Sequence, residues 1–266
     1  MVSLSKDKNV AVYQLAKEYL DSIEPEGTDL SKYFLGDSRS YSSLKDVYVQ
    51  MIKSAQNYRQ MPKVINFDLN EKELRRMLQG FDYTKIRDLL PEDLYRSFRK
   101  QFDCGGADNK HNSWYKWSCS VVDAAKFMSE FKDVDDFNKF VERFNYNVQT
   151  RIALPLLIDK KIRGIGFALA CDFLKELGFI DYAKPDVHLI EVFSKLGLSN
   201  NTQISTFEAV ARMAERCNNS GVATTPYEVD KTFWLICSGD FYYENNKVGR
   251  HKKEFIEYAK EKLAIS

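Results

Sequence analysis

Residues 161–198 read KIRGIGFALACDFLKELGFIDYAKPDVHLIEVFSKLGL, and this segment is the most informative part of the sequence. It predicts two apolar helices separated by Gly178, with Gly164-Ile165-Gly166 before the first and Pro185-Asp186 opening the second. Glycine tolerates tight turns and close approaches that other residues resist. Because a helix N-terminus has outward-pointing N–H groups, the glycine turn and the helix that follows it predict a site for an anion such as phosphate.

These residues resemble the helix-hairpin-helix DNA glycosylases, the superfamily of endonuclease III and 8-oxoguanine glycosylase. In that family a hydrophobic-x-Gly-hydrophobic-Gly hairpin leads into an Ala-containing helix, and a Val-Asp-x-His-Val segment follows. The matching pieces are 162–166, Ala170 and 185–189. Gly166 and Asp186 are 20 positions apart, which agrees with the family's arrangement.

The resemblance implies a DNA base-excision glycosylase that turns a damaged base out of the duplex into a cleft between two helical subdomains. It makes Asp186 the catalytic carboxylate. It also implies that the hairpin residues 164–166, which are Gly164, Ile165 and Gly166, hold the DNA backbone. His188 and Lys184 are candidate supporting residues beside the catalytic position. Taken alone, Asp186 is also an ordinary helix cap with no catalytic duty.

One position departs from the family pattern. Bifunctional members carry a Schiff-base lysine two residues after the second glycine, and Ala168 stands there in this chain. Alanine has no amine to attack a sugar carbon. The sequence therefore predicts a monofunctional enzyme with water as the nucleophile and no lyase step through this position, although Lys160, Lys161 or Lys184 could supply an amine.

The helix predicted over residues 44–58 ends with Ser54-Ala55-Gln56-Asn57. This end resembles the Ser-x-Gln loop through which the superfamily inserts a polar side chain into the duplex. The resemblance makes Gln56 and Asn57 the candidate duplex-inserting residues. The alternative is a polar helix terminus before Met61-Pro62.

Helical spacing of apolar residues recurs along the chain, and period-two alternation is nearly absent, so an all-α fold is predicted. The one plausible strand is 63–68. We expect a barrel-like helical subdomain over 44–186 that ends in the helix-hairpin-helix motif. A second helical subdomain is expected from both termini, 1–43 plus 187–266. The basic segment 249–263 predicts a last helix that either lies along phosphates or presents a solvated face.

Residues 102–118 break the helical pattern and contain Trp114, Tyr115 and Trp117. They predict a long loop whose rings either line the base-binding rim or pack beneath the loop. Cys104, His111 and Cys119 could be imagined as metal ligands, but their spacing matches no common zinc pattern. No metal is therefore expected.

Composition sets further limits. Lys and Arg total 39 against 38 Asp and Glu, so bulk charge neither favours nor opposes a nucleic-acid partner. Five scattered cysteines indicate a reducing compartment, and only Cys217 and Cys237 follow the catalytic segment. The four-cysteine iron–sulfur cluster of some relatives is therefore not expected, nor is any other cofactor, although the resemblance allows a monovalent cation at the hairpin.

The expected partner is double-stranded DNA carrying a damaged base, bound by a monomer in the cytoplasm or nucleus. No apolar run reaches about 18 residues, so no membrane association is expected. Phosphate-loop, zinc-protease and nucleophile-elbow motifs are absent from the sequence. Two alternatives remain: a catalytically inactive helix-hairpin-helix DNA-binding protein, and a helical enzyme or interaction protein unrelated to DNA.

Overall fold

A computed structural model describes residues 4–34, 41–58 and 61–265. Helices dominate these residues, which confirms the predicted all-α class. The helices are, in chain order, α1 Lys8–Ile23, α2 Ser31–Phe34, α3 Leu44–Ala55, α4 Met61–Ile65, α5 Phe67–Met77, α6 Tyr83–Ile86, α7 Pro91–Gln101, α8 Ser113–Met128, α9 Val134–Arg143, α10 Val148–Lys161, α11 Phe167–Glu176, α12 Val187–Lys195, α13 Gln203–Asn219, α14 Pro226–Ser238 and α15 Lys252–Leu263. Two short antiparallel strands, β1 Asp240–Phe241 and β2 Asn246–Lys247, lie between α14 and α15.

Two compact units make up the chain. The terminal unit comprises Met1–Ser38 and Gly178–Ser266, and the central unit is Arg39–Leu177. The sequence prediction placed residues 178–186 in the central subdomain and residues 41–43 in the terminal one, whereas the structure groups 178–186 with the terminal unit and 41–43 with the central unit. The physical reason is local packing, because the Tyr182 ring contacts Phe207 and Tyr227 N donates to Ile180 O.

In the terminal unit, α1 packs against α13, α14 and α15, and α12 packs against the same three helices. Their apolar faces form one core that includes Val12, Leu20, Phe193, Phe233 and Phe255. Helix α14 begins with a capping box: Thr225 Oγ1 accepts from Glu228 N, and Glu228 Oε2 accepts from Thr225 N. This core carries α12 and therefore fixes the position of Asp186 within the unit.

In the central unit, α8 packs against α3, α6 and α7, while α11 packs against α3 and α10. The predicted strand at 63–68 is wrong, because α4 and α5 occupy this segment. The predicted loop over 102–118 is wrong at its C-terminal end, because Asn112 caps α8 and places Trp114 and Trp117 inside that helix. Trp117 is fully buried and its indole N–H donates to Ile52 O at 2.9 Å, so its ring belongs to the core.

Candidate active site

The glycine hairpin joins α10 to α11 within the central unit. Helix α10 runs unbroken through Pro155 and ends at Lys161, and α11 begins at Phe167 with Gly166 as its N-cap. Gly164 has φ +85°, in the left-handed region that favours glycine. Ile165 N donates to Ile162 O at 3.2 Å and closes the turn. Ile162 and Ile165 are buried while both glycines are exposed, so the hairpin presents backbone on its outer side.

Two side chains of α8 hold this hairpin through hydrogen bonds with Arg163. Ser120 Oγ donates to Arg163 O at 2.7 Å. A Cβ added at Gly164 would lie 2.6 Å from Ser120 Oγ. Asp123 accepts from Arg163 Nε at 2.6 Å and from Nη2 at 2.9 Å, and it also accepts from the Arg163 backbone N–H. Such a two-pronged carboxylate–guanidinium pair fixes orientation as well as distance. Sequence reasoning did not find Ser120 or Asp123, because they lie some 40 residues upstream with no motif of their own.

The hairpin can bind an anion through its backbone. Gly166 has no side chain to cap α11, so the first N–H groups of that helix have no side-chain partner at the N-cap. A helix N-terminus carries a partial positive charge, which a phosphate would neutralise. Arg163 is 57% exposed at its side chain and stands immediately before Gly164. The arrangement therefore offers a phosphate both backbone donors and a nearby guanidinium.

Asp186 is the N-cap of α12 in the terminal unit. Its Oδ1 accepts from the backbone N–H groups of His188 at 2.8 Å and Leu189 at 3.1 Å. Among the described residues, no hydrogen-bond donor contacts its Oδ2. The residue is half-buried. One oxygen of the carboxylate is thus fixed by the helix, and the other keeps its acceptor capacity.

The carboxylate of Asp186 acts electrostatically on the buried thiol of Cys237. Burial raises the pKa of the Cys237 thiol to about 12, and the negative charge of Asp186 adds to this shift. A negative charge close to a buried thiol disfavours the thiolate. Cys237 is therefore a protonated, apolar neighbour rather than a reactive group.

The two candidate supporting residues differ in their surroundings. His188 is half-buried, and its Nδ1 is buried without a hydrogen-bond partner among the described residues. Lys184 is half-buried, and its backbone N–H donates to the buried Asp230 carboxylate at 2.9 Å. Asp230 therefore ties the segment before Asp186 to α14.

No amine stands at position 168. Ala168 lies in the first turn of α11. Lys161 is engaged elsewhere, because its Nζ lies 2.7 Å from Glu130 Oε1, whereas Lys160 is exposed on the last turn of α10. The first turn of α11 therefore carries no amine in place of the Schiff-base lysine of the bifunctional enzymes.

The two candidate duplex-inserting residues lie in different environments. Gln56 is 6% exposed, and its Oε1 accepts from the buried backbone N–H of Phe67 at 3.1 Å. Asn57 is exposed, and its Nδ2 donates to Asp172 Oδ2 at 3.2 Å. Only Asn57 of this pair presents its side chain to solvent. Insertion of Gln56 would require it to give up a buried hydrogen bond.

A buried charged pair lies on α11, next to Asn57. Asp172 and Lys175 are 4% and 6% exposed, and Lys175 Nζ lies 3.6 Å from Asp172 Oδ1. Sequence reasoning missed this pair. The signal was available, because two charged residues interrupt the apolar face of a helix that is otherwise buried.

Within residues 4–34, 41–58 and 61–265, no group of three or more His, Cys, Asp or Glu side chains could hold a metal ion. For the monovalent cation, two hairpin carbonyls are already engaged, since Ile162 O accepts from Ile165 N and Arg163 O from Ser120. No step of the reaction proposed below depends on such an ion. None of the described helices has the length and apolarity needed to cross a membrane.

No protein-family model and no curated protein matches the chain. Among solved structures, the chain is similar to a crystal structure of Methanocaldococcus jannaschii 8-oxoguanine glycosylase/lyase in complex with a 15mer DNA containing 8-oxoguanine. The sequences are 16% identical, the TM-score is 0.47, and the alignment covers 84% of this chain and 93% of that one.

Proposed function

We propose that this protein is a DNA glycosylase of the helix-hairpin-helix class that hydrolyses the N-glycosidic bond of a damaged base. The observation that carries the proposal is the Asp186 carboxylate: one oxygen is fixed by two backbone N–H groups while the other has no donor among the described residues. The glycine hairpin at 162–166 supports the DNA-binding part of the proposal. Its exposed backbone and Arg163 suit a phosphate.

In the proposed reaction the damaged nucleotide leaves the base stack, at a cost of a few kcal/mol that is smaller for a weakened pair. The bond between C1′ and the base nitrogen breaks, and the base departs with the bonding electrons. Positive charge then builds on the sugar, where the Asp186 carboxylate stabilises it. A water molecule adds to C1′ and gives up a proton, to Asp186 or through it to the departing base. The products are a free base and an abasic site in an unbroken strand.

We infer that the strand is not cut through a Schiff base, because Ala168 has no amine and Lys161 is paired with Glu130. The similar archaeal enzyme is a glycosylase/lyase, so this is a specific point of difference to test. Besides the exposed Lys160, the remaining candidate amine is Lys184, which lies near Asp186 in sequence. Its half-buried position and the bond from its backbone to Asp230 support a positioning role.

For duplex insertion we propose Asn57 rather than Gln56. Asn57 is exposed and carries an amide that could fill the space left by an extruded base, whereas Gln56 satisfies a buried backbone N–H. Removing that acceptor would leave the N–H unsatisfied, at a cost of about 1–3 kcal/mol. The proposed partner is lesion-bearing double-stranded DNA, bound by a monomer inside the cell.

The test is release of free base from duplexes that carry oxidised, deaminated or alkylated bases. The proposal expects release from at least one lesion, with the strand left intact until alkali is added, and no borohydride-trapped protein–DNA adduct. A trapped adduct would overturn the hydrolytic mechanism but keep the glycosylase assignment. If Lys184→Ala removed that adduct, the amine would be Lys184.

A catalytically silent DNA-binding module is the second candidate, and Ala168 is the observation that favours it. It predicts affinity for DNA that falls steeply as salt rises, because phosphate contacts release counterions, with no base released from any lesion. Absence of DNA affinity even at low salt would reject both candidates. A helical protein unrelated to DNA would then be the better account.

A further inference from the structure

Lys116 of α8 lies against the glycine hairpin within the central unit. Its backbone carbonyl oxygen would be 3.7 Å from a Cβ placed at Gly164. The Ser120 hydroxyl joins the two segments, because it donates to Lys116 O at 3.2 Å and to Arg163 O at 2.7 Å. The turn of α8 that carries Lys116 is therefore fixed against the proposed phosphate site.

The charge of Lys116 is available to a ligand. Two cations of the hairpin segment are already paired: Arg163 lies 2.6 Å from Asp123. Lys161 lies 2.7 Å from Glu130. Lys116 is half-buried, and within the part of the chain that the structure describes no carboxylate forms an ion pair with it. A phosphate beside Lys116 would therefore meet a positive charge that no described carboxylate neutralises.

The side chain of Lys116 runs from the hairpin towards the end of α3. Its Nζ lies 5.9 Å from the ring centroid of Tyr58, which directly follows the proposed inserting residue Asn57. An ammonium group within about 6 Å of an aromatic ring is attracted to the ring face. The next residue of α8, Trp117, donates its indole N–H to Ile52 O and so fixes α8 against α3. Lys116 thus lies between the hairpin and the residue proposed to enter the duplex.

We propose that Lys116 binds a phosphate of the DNA backbone, between the phosphate held by the hairpin and the gap that Asn57 fills. This inference rests on the proposed function, because that function places the hairpin and Asn57 on one duplex. A lysine ammonium group binds phosphate as a point charge. Phosphate contacts position a protein on the duplex and carry no sequence information. Lys116 therefore contributes affinity for every lesion alike, and it takes no part in the chemical step.

The test is the binding of fluorescein-labelled, undamaged duplexes of two unrelated sequences, measured by fluorescence anisotropy across a salt series. Wild-type protein is compared with Lys116→Ala and Lys116→Gln, which remove the charge, and with Lys116→Arg, which keeps it. Lys126→Ala is the matched control, because Lys126 is an exposed lysine on the last turn of the same helix and its substitution removes the same charge. Melting temperatures show that each variant is folded.

Loss of one phosphate contact lowers the steepness of log affinity against log salt by about 0.9. Over the decade between about 1 M and about 0.1 M salt, this slope amounts to about 8-fold in affinity. Lys116→Ala and Lys116→Gln should therefore bind both duplexes about 8-fold more weakly at about 0.1 M salt, whereas Lys116→Arg and Lys126→Ala should behave as wild type. In base release, the KM of Lys116→Ala should rise by the same factor with kcat unchanged, because binding common to the ground state and transition state is lost.

A wild-type salt slope for Lys116→Ala and Lys116→Gln would overturn the proposal, as would an equal loss in Lys126→Ala. A loss confined to one of the two sequences would also overturn it, because it would indicate a base contact. Failure of a folded Lys116→Arg to restore binding would show that the charge is not what matters. Base release is a separate readout: normal release with an unchanged slope would reject this inference alone, whereas a lowered slope without any release would reject the glycosylase proposal alone. Absence of duplex binding by wild type would reject both.

Discussion

Substituting Gly164 by alanine tests the hairpin geometry most sharply. Gly164 has φ +85°, and an added Cβ would lie 2.6 Å from Ser120 Oγ. The clash involves the end of a small side chain, so Ser120 can rotate away. Rotation would break the hydrogen bond from Ser120 to Arg163 O. The perturbation therefore combines backbone strain with the loss of one hydrogen bond.

The expected cost follows from these two parts. An L-residue in the left-handed region costs about 1–2 kcal/mol, and a lost hydrogen bond costs about 1 kcal/mol. Gly164→Ala should thus lower the free energy of unfolding by about 2–3 kcal/mol, and Ser120→Ala alone by about 1 kcal/mol. The double variant should cost no more than Gly164→Ala alone, because alanine at 120 removes the clashing oxygen and the hydrogen bond is already lost.

Urea unfolding followed by circular dichroism measures all three variants. The prediction is a non-additivity of about 1 kcal/mol between positions 164 and 120, which is the behaviour of residues in contact. Strict additivity would show that Ser120 is not the obstacle. A cost below about 0.5 kcal/mol for Gly164→Ala would refute the strained-turn description.

Other substitutions give matched comparisons. Gly239→Ala should lower the melting temperature far more than Gly221→Ala. Both glycines have positive φ, but only a Cβ at position 239 would meet a backbone atom, the carbonyl oxygen of Gly249 at 1.6 Å. Thr225→Ala should cost about 1 kcal/mol in urea unfolding and Thr225→Ser much less, because serine keeps the cap of α14. Asn57→Ala should slow base release and also lower the melting temperature, because Asn57 Nδ2 donates to the buried Asp172 carboxylate, whereas Gln56→Ala should lower the melting temperature by unsatisfying a buried N–H.

Local signals predicted much of the fold. Proline and a threonine–glutamate capping box mark the start of α14, and Asp186 caps α12 as its position before an apolar run indicated. The glycine hairpin was visible because Gly164 and Gly166 stand next to an apolar helix, and the structure gives Gly164 a positive φ and makes Gly166 the N-cap of α11. Caps and tight turns involve neighbours in sequence, so the sequence alone can reveal them.

Long-range contacts explain what the sequence did not reveal. The burial of Gln56 depends on the backbone N–H of Phe67, and the burial of Trp117 on Ile52, which lies 65 residues away. Helices α4 and α5 replace the predicted strand because packing overrides a short apolar run. The strands β1 and β2 have two residues each, too few for a period-two pattern to be recognised.

The most direct measurement is the rate of base release by Asp186→Asn, with Asp7→Asn as control. Asp7 caps α1 of the same unit as Asp186 caps α12, with Oδ1 accepting from two backbone N–H groups. Asparagine caps a helix about as well as aspartate, so both variants should fold. The account predicts a loss on the order of 100-fold or more for Asp186→Asn, with DNA affinity retained, and near wild-type release for Asp7→Asn. Wild-type release by a folded Asp186→Asn would contradict it.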